Sequence, residues 1–171
     1  MSDYRIVESI DGRGRVKSEY EYIGAPWVYA EDARVVRAAR RRVAACGAVG
    51  LAAWVAALIP LSAATRTLYV IMPFIFAAPP LAMIIGLAWR LYRLKPPFEH
   101  RHADQLANRG PACSFLVALI AAVALAGEGI NLLRRVPLLP GDALFCAGAA
   151  ILLACGLICH RQWKRLRCRE Q

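Results

Sequence analysis

Apolar residues in this chain are segregated into long blocks rather than alternated with polar ones. Four blocks almost free of charge run over about residues 43–61, 68–89, 112–133 and 143–159, each 17 to 22 residues long. A helix rising 1.5 Å per residue needs about 20 apolar residues to cross a hydrocarbon core. The pattern therefore predicts an all-α membrane protein, a four-transmembrane-helix bundle. Hydrophobic residues make up 58% of the chain, more than the roughly half expected of a soluble domain, and the excess lies in the four blocks.

Ahead of the first block the pattern changes. Tyr4, Ile6 and Glu8 alternate with Arg5, Val7 and Ser9; Asp11-Gly12 supplies a turn; Val16, Ser18, Tyr20 and Tyr22 alternate again. This spacing predicts a β-hairpin, with a third short strand at Trp27-Val28-Tyr29. A lone hairpin is marginal in water, so this one needs the bundle, lipid headgroups or a partner to rest on. Residues 1–30 thus form a short cytoplasmic N-terminal segment and residues 31–171 a four-helix transmembrane domain. Glu31 and Asp32 suit the first turn of a helix, where carboxylates oppose the helix dipole, and that helix runs on into the first span.

The connections are short. Residues 62–67 link spans one and two as a tight antiparallel pair, and residues 134–142, containing Pro137, Pro140 and Gly141, link spans three and four with Asp142 as N-cap. In the longer stretch 90–111, Pro96-Pro97 opens and Gly110-Pro111 closes a short interfacial helix, with Phe98, His102 and Leu106 on one face.

Charge orients the bundle. Of 22 Lys and Arg residues, nine fall in 1–42, five in 90–111 and five in 160–171; only Arg66, Arg134 and Arg135 fall on the opposite side. Under the positive-inside rule both termini and the middle loop are cytoplasmic. Tyr69 at the outer end, and Trp89, Tyr92 and Trp163 at the inner end, fit interfacial aromatic belts. The formal charge of +10 is accounted for by topology and by affinity for anionic lipid headgroups, so no nucleic-acid partner is expected. The first apolar block follows some forty polar residues, which suits an uncleaved signal-anchor rather than a cleaved signal peptide. The compact build fits a bacterial inner membrane.

Packing signals are of two kinds. Ala44, Ala48, Ala52 and Ala56 form an i, i+4 row beside Gly47 and Gly50, and Ala118, Ala122 and Ala126 form another. Small residues let helices approach closely in lipid, and packing within the monomer is preferred to dimerisation. Span two carries Pro73, Pro79 and Pro80, which predict a bend.

Chemistry-bearing residues are few. Glu128, between Gly127 and Gly129, lies about five residues inside the outer end of span three, where a carboxylate is costly and faces protein or water. Asn131 and Arg135 follow at i+3 and i+7 on the same face, so Glu128, Asn131 and Arg135 form the candidate polar site. A buried hydrogen bond or ion pair fixing helix register explains them, as does a proton or ion relay. Cys155, Cys159 and His160, with Cys46 and Cys113 at the same end, lack the paired spacing of structural zinc sites. The six cysteines show no CxxC and sit mostly on the reducing side, against a disulfide framework. Cys168 is juxtamembrane and open to acylation. Glu99, His100, His102 and Asp104 match no catalytic motif. No phosphate-binding loop, HExxH or GxSxG is present. No catalytic residue, metal or cofactor is expected.

The sequence favours a non-enzymatic accessory or interaction protein of the membrane, docking through its basic cytoplasmic face to a protein partner or a second copy. Two alternatives stand: a small transporter or channel subunit with Glu128 on its pathway, and a membrane enzyme acting on a lipid or thiol substrate.

Overall fold

The computed structural model describes residues 4–10, 16–59, 67–94, 96–134, 136–137, 139–166 and 168–170. Strands β1 (Tyr4–Ile10), β2 (Val16–Tyr22) and β3 (Trp27–Tyr29) precede helix α1 (Ala33–Leu58). Helices α2 (Leu68–Ile75), α3 (Ala78–Arg93) and α4 (His100–Asp104) follow, then a π-helical turn (Gln105–Arg109), α5 (Gly110–Leu133), α6 (Pro140–Arg165) and strand β4 (Cys168–Glu170).

Four helical stretches are long and apolar enough to cross a membrane: Ala33–Leu58, Leu68–Arg93, His100–Leu133 and Pro140–Arg165, with mean hydropathies of 1.4, 2.2, 2.1 and 2.2. Only 28% of the apolar window of the first is buried within the protein, and 39% of each of the others. A water-soluble bundle hides its apolar face; helices that are hydrophobic all round belong in lipid. The outward residues include Val49, Met72, Phe76, Phe115, Leu119 and Ile151.

The helices form a closed ring. α1 packs on α6 and on α3, and α5 packs on α6 and on α2 and α3. Phe74 and Phe145 meet at its centre, wholly buried, with ring centroids 4.9 Å apart. The closest approaches run through glycines of α6. A Cβ on Gly148 would lie 2.8 Å from the Ala53 carbonyl oxygen on α1, and one on Gly156 would lie 2.9 Å from the Ala118 nitrogen on α5. Contact between helix backbones is the main attraction available in lipid, and α6 makes it on both sides.

The small-residue rows behave differently from the sequence expectation. Ala48 and Ala52 face outward and Ala44 and Ala56 are half-buried, as Val43, Gly47, Gly50, Ala53 and Ala57 occupy the packed face of α1. Ala118 is buried, whereas Ala122 and Ala126 are exposed.

The proline-rich second stretch breaks at Phe76-Ala77, between α2 and α3, and Pro79 and Pro80 stand in the first turn of α3. Those prolines bring no N–H to the carbonyls one turn earlier. At the break, the Phe74 carbonyl accepts both the Ala77 N–H at 3.2 Å and the Trp54 indole of α1 at 2.9 Å, which ties the end of α2 to α1.

Gly110-Pro111 does not close a helix. The chain passes from α4 through the π turn into α5 without interruption. Gly110 is chosen by packing: a Cβ there would sit 2.6 Å from Trp163 Cδ2. Pro111 follows at the junction of the π turn with the regular α5 helix, and its missing N–H fits a place where the hydrogen-bond ladder is already irregular. Phe98 and Leu106 are buried and His102 half-buried, along the face that the spacing predicts. Asp142 is the third residue of α6 rather than its N-cap; its Oδ2 accepts the Leu139 N–H at 2.6 Å. A carboxylate in that turn satisfies a free donor and opposes the dipole.

β1 and β2 pair antiparallel from Tyr4↔Tyr22 to Ile10↔Val16; the predicted turn at Asp11-Gly12 lies outside the described residues, as does the link 62–66. β3 pairs with β4 of the chain's far end, Trp27↔Glu170 to Tyr29↔Cys168, rather than with the hairpin. Trp27 also exchanges two backbone hydrogen bonds with Phe98, at 2.9 and 3.0 Å. Segments before α1, after α3 and after α6 therefore meet at one end of the bundle. Burial there pushes the Cys168 thiol up from its usual range. Deleting residues 168–171 removes the β3 partner and is expected to open Trp27–Tyr29 to proteolysis while the helices hold. Limited proteolysis in detergent, comparing cleavage near Trp27 with cleavage within α5, checks this.

Candidate functional site

Glu128 occupies the inward face of α5, five residues before the helix ends at Leu133, or about 7 Å along the axis at helical rise. Gly127 creates the approach that encloses it: a Cβ on Gly127 would lie 2.8 Å from Val70 Cγ2 of α2. With no side chain there, α2 comes near enough for Thr67 and Tyr69 to reach the next turn of α5.

The contacts centre on Asn131. Its Nδ2 donates to Glu128 Oε2 at 2.9 Å and reaches Thr67 Oγ1 at 3.5 Å. Its Oδ1 accepts from the Tyr69 hydroxyl. Glu128 is 2% exposed and Asn131 3%. Glu128 Oε1 is buried and has no hydrogen-bond partner among the described residues. A buried polar atom left unsatisfied is costly, and a carboxyl in lipid more so.

Of the three residues read from the sequence, the structure brings Glu128 and Asn131 together. Arg135 and Arg66 lie outside the described residues, and Arg134, the C-cap of α5, is exposed. Thr67 and Tyr69 complete the cluster and were not assigned to it from sequence. The available signal was depth: both stand at the start of the second apolar block, level with Asn131. The arrangement holds one carboxyl, one carboxamide and two hydroxyls. It bridges α2 and α5 by hydrogen bonds.

The other chemistry-bearing residues separate into unrelated contacts. Cys46, Cys155 and Cys159 line a void of about 10 Å³ between α1, α3, α5 and α6, at the lower limit for one water. Cys113 instead faces Met83, with the sulfurs 3.8 Å apart, and His160 Nδ1 lies 3.0 Å from the Pro111 carbonyl. Among the described residues no group of three or more His, Cys, Asp or Glu is placed to hold a metal ion. On the middle segment Asp104 accepts from Asn108 at 2.5 Å and His100 packs on Trp27 at 5.0 Å between centroids.

Arg40 ties the basic end together. It donates to the Tyr29 hydroxyl at 3.3 Å and the Leu94 carbonyl at 3.2 Å, with its guanidinium 5.3 Å from the Tyr29 ring centroid. Burial raises the Tyr29 hydroxyl above its usual pKa, and the guanidinium pulls it back in part. Arg40 thus fixes β3 and the end of α3 to α1, which the basic run 34–42 did not reveal. Comparison with protein families, curated proteins and solved structures finds no match.

Proposed function

We propose that this chain is a multi-pass integral membrane protein that serves as a non-enzymatic accessory or interaction subunit, with both termini and the middle segment in the cytoplasm. One observation carries this reading. β3, Phe98 and β4 gather three segments at one end of the bundle, with the β1–β2 hairpin joined to β3, and the sequence stretches to which these segments belong, 1–42, 90–111 and 160–171, carry 19 of the 22 Lys and Arg residues. The hairpin's extensive contacts are between its own strands. A two-stranded hairpin gains independent stability from a further surface, and at this end that surface is a headgroup layer or a partner. The cell membrane, of bacterial inner-membrane type, is the setting that the cationic asymmetry fits.

The closed ring argues against a pathway through a single copy. Its interior is filled by Phe74, Phe145, Val117, Ala121, Ala124 and Leu152, each at most 1% exposed. The transporter alternative needs a path between copies or along the Glu128 face.

Cross-linking in native membranes, followed by mass spectrometry, tests the proposal. It predicts recurrent cross-links from Lys17 or neighbouring residues of 1–42 to one other protein, lost when residues 1–22 are deleted. Cross-links between copies alone, with none to another protein, contradict it in favour of the transporter reading.

A further inference from the structure

A cleft of about 200 Å³ opens between α3 and the π turn, lined by Met83, Gly86, Leu87 and Arg90 on one side and Gln105 and Arg109 on the other. Its polar end is built. Arg90 Nη1 donates to Gln105 Oε1 at 2.7 Å, and Gln105 is only 8% exposed. That bond holds the Arg90 guanidinium at the mouth of the cleft. No carboxylate pairs with Arg90 or Arg109 among the described residues, and the nearby Asp104 is engaged by Asn108. Two guanidiniums with no counter-ion between them select an oxyanion, and phosphate above others, because a guanidinium grips it through paired N–H donors.

The other end of the cleft is apolar and runs toward mid-membrane. Leu87, Gly86 and Met83 lie three, four and seven residues before Arg90, along one face of α3. Gly86 leaves this wall hollow: a Cβ there would meet nothing within 4 Å. Trp89 and Tyr92, exposed on the neighbouring faces of α3, mark the level of the headgroups. The cleft therefore offers a cationic pocket at headgroup depth continuous with an apolar gutter at acyl depth.

We propose that this cleft is a binding site for an anionic glycerophospholipid, its phosphate held between Arg90 and Arg109 and one acyl chain lying over Gly86. The inference rests on the membrane-spanning, basic-side-inward reading given above. Basic pockets between membrane helices on the cytoplasmic side are a recognised means of selecting such headgroups.

The test begins with carbonate extraction of membranes containing the full chain. Release of the protein into the soluble fraction overturns the membrane reading itself. For protein that resists extraction, the chain is reconstituted in equimolar phosphatidylglycerol and phosphatidylcholine, transferred to mild detergent, and its retained lipids are counted by native mass spectrometry. The expected result is retention of phosphatidylglycerol over phosphatidylcholine by about tenfold, about 1.4 kcal/mol. Arg90→Gln with Arg109→Gln removes that preference. Arg34→Gln with Arg161→Gln, exposed arginines outside the cleft, keeps it. Gly86→Leu fills the gutter with both arginines intact and is expected to reduce retention severalfold, which keeps the proposal testable if the arginine variant fails to fold. Equal retention of the two lipids by the wild type, or unchanged retention of phosphatidylglycerol by the Gly86→Leu protein, overturns it. Loss of the retained lipid in millimolar inorganic phosphate identifies free phosphate as the ligand and overturns the lipid assignment.

Discussion

Gly148→Ala is expected to destabilise the bundle by about 1–3 kcal/mol, the usual cost of forcing extra volume into a packed interior. The sign is the informative part. In an unobstructed helix, alanine is favoured over glycine by about 1 kcal/mol. At Gly148 the added Cβ would fall 2.8 Å from the Ala53 carbonyl oxygen and 2.8 Å from the Ala57 Cβ. Neither atom is the end of a flexible side chain, so α1 and α6 must separate. Gly129→Ala supplies the comparison within the same molecule, since nothing lies within 4 Å of its Cβ position; it is expected to be neutral or stabilising. Unfolding in bicelles, followed by helix–helix fluorescence transfer, separates the two. Equal stability of both variants would show that the close α1–α6 approach is not present in the membrane.

Asn131→Leu is expected to cost about 1–3 kcal/mol by the same measurement, since it leaves buried polar atoms without partners. Asn131 is the hub: it bonds Glu128, Tyr69 and Thr67 at once. Its loss leaves both Glu128 oxygens without a partner among the described residues, in a site 2% exposed. Tyr69→Phe removes one bond of the three and should cost less, within the roughly 0.5–2 kcal/mol seen for hydrogen bonds between membrane helices. The double change Glu128→Leu with Asn131→Leu should recover part of the loss, because removing both partners of a buried bond is far cheaper than removing one. A double variant less stable than Asn131→Leu alone would mean that Glu128 has a stabilising partner besides Asn131.

The sequence makes the helices legible because a span must be apolar on every face, and a run of some 20 such residues suits a bilayer better than a soluble core. It locates Glu128 for the converse reason: one acid inside such a run stands out. Packing between helices is less legible. The regular Ala44–Ala56 row has the spacing of an interface, yet outward positions in lipid are as apolar as inward ones, so periodicity loses its contrast. Gly148 and Gly156, eight residues apart on α6, carry close contacts with neighbouring helix backbones without an obvious motif. The π turn is hidden because Gly110-Pro111 reads as a stop signal; only the indole of Trp163, more than fifty residues away, explains the glycine. Pairing of β3 with β4 is equally hidden. Three residues beside a helix end carry no periodicity, and their partner lies at the other end of the chain.

Topology is the claim on which the rest stands, and cysteine accessibility tests it most directly. In a background with all six cysteines replaced, single cysteines are placed at Glu31, Pro137 and Lys164, each exposed. Intact cells are treated with a membrane-impermeant maleimide before and after permeabilisation. Four spans with cytoplasmic termini predict labelling at position 137 alone in intact cells, and at all three after permeabilisation. Labelling of 31 and 164 with 137 protected would invert the orientation, and a difference between 31 and 164 would refute the four-span arrangement itself.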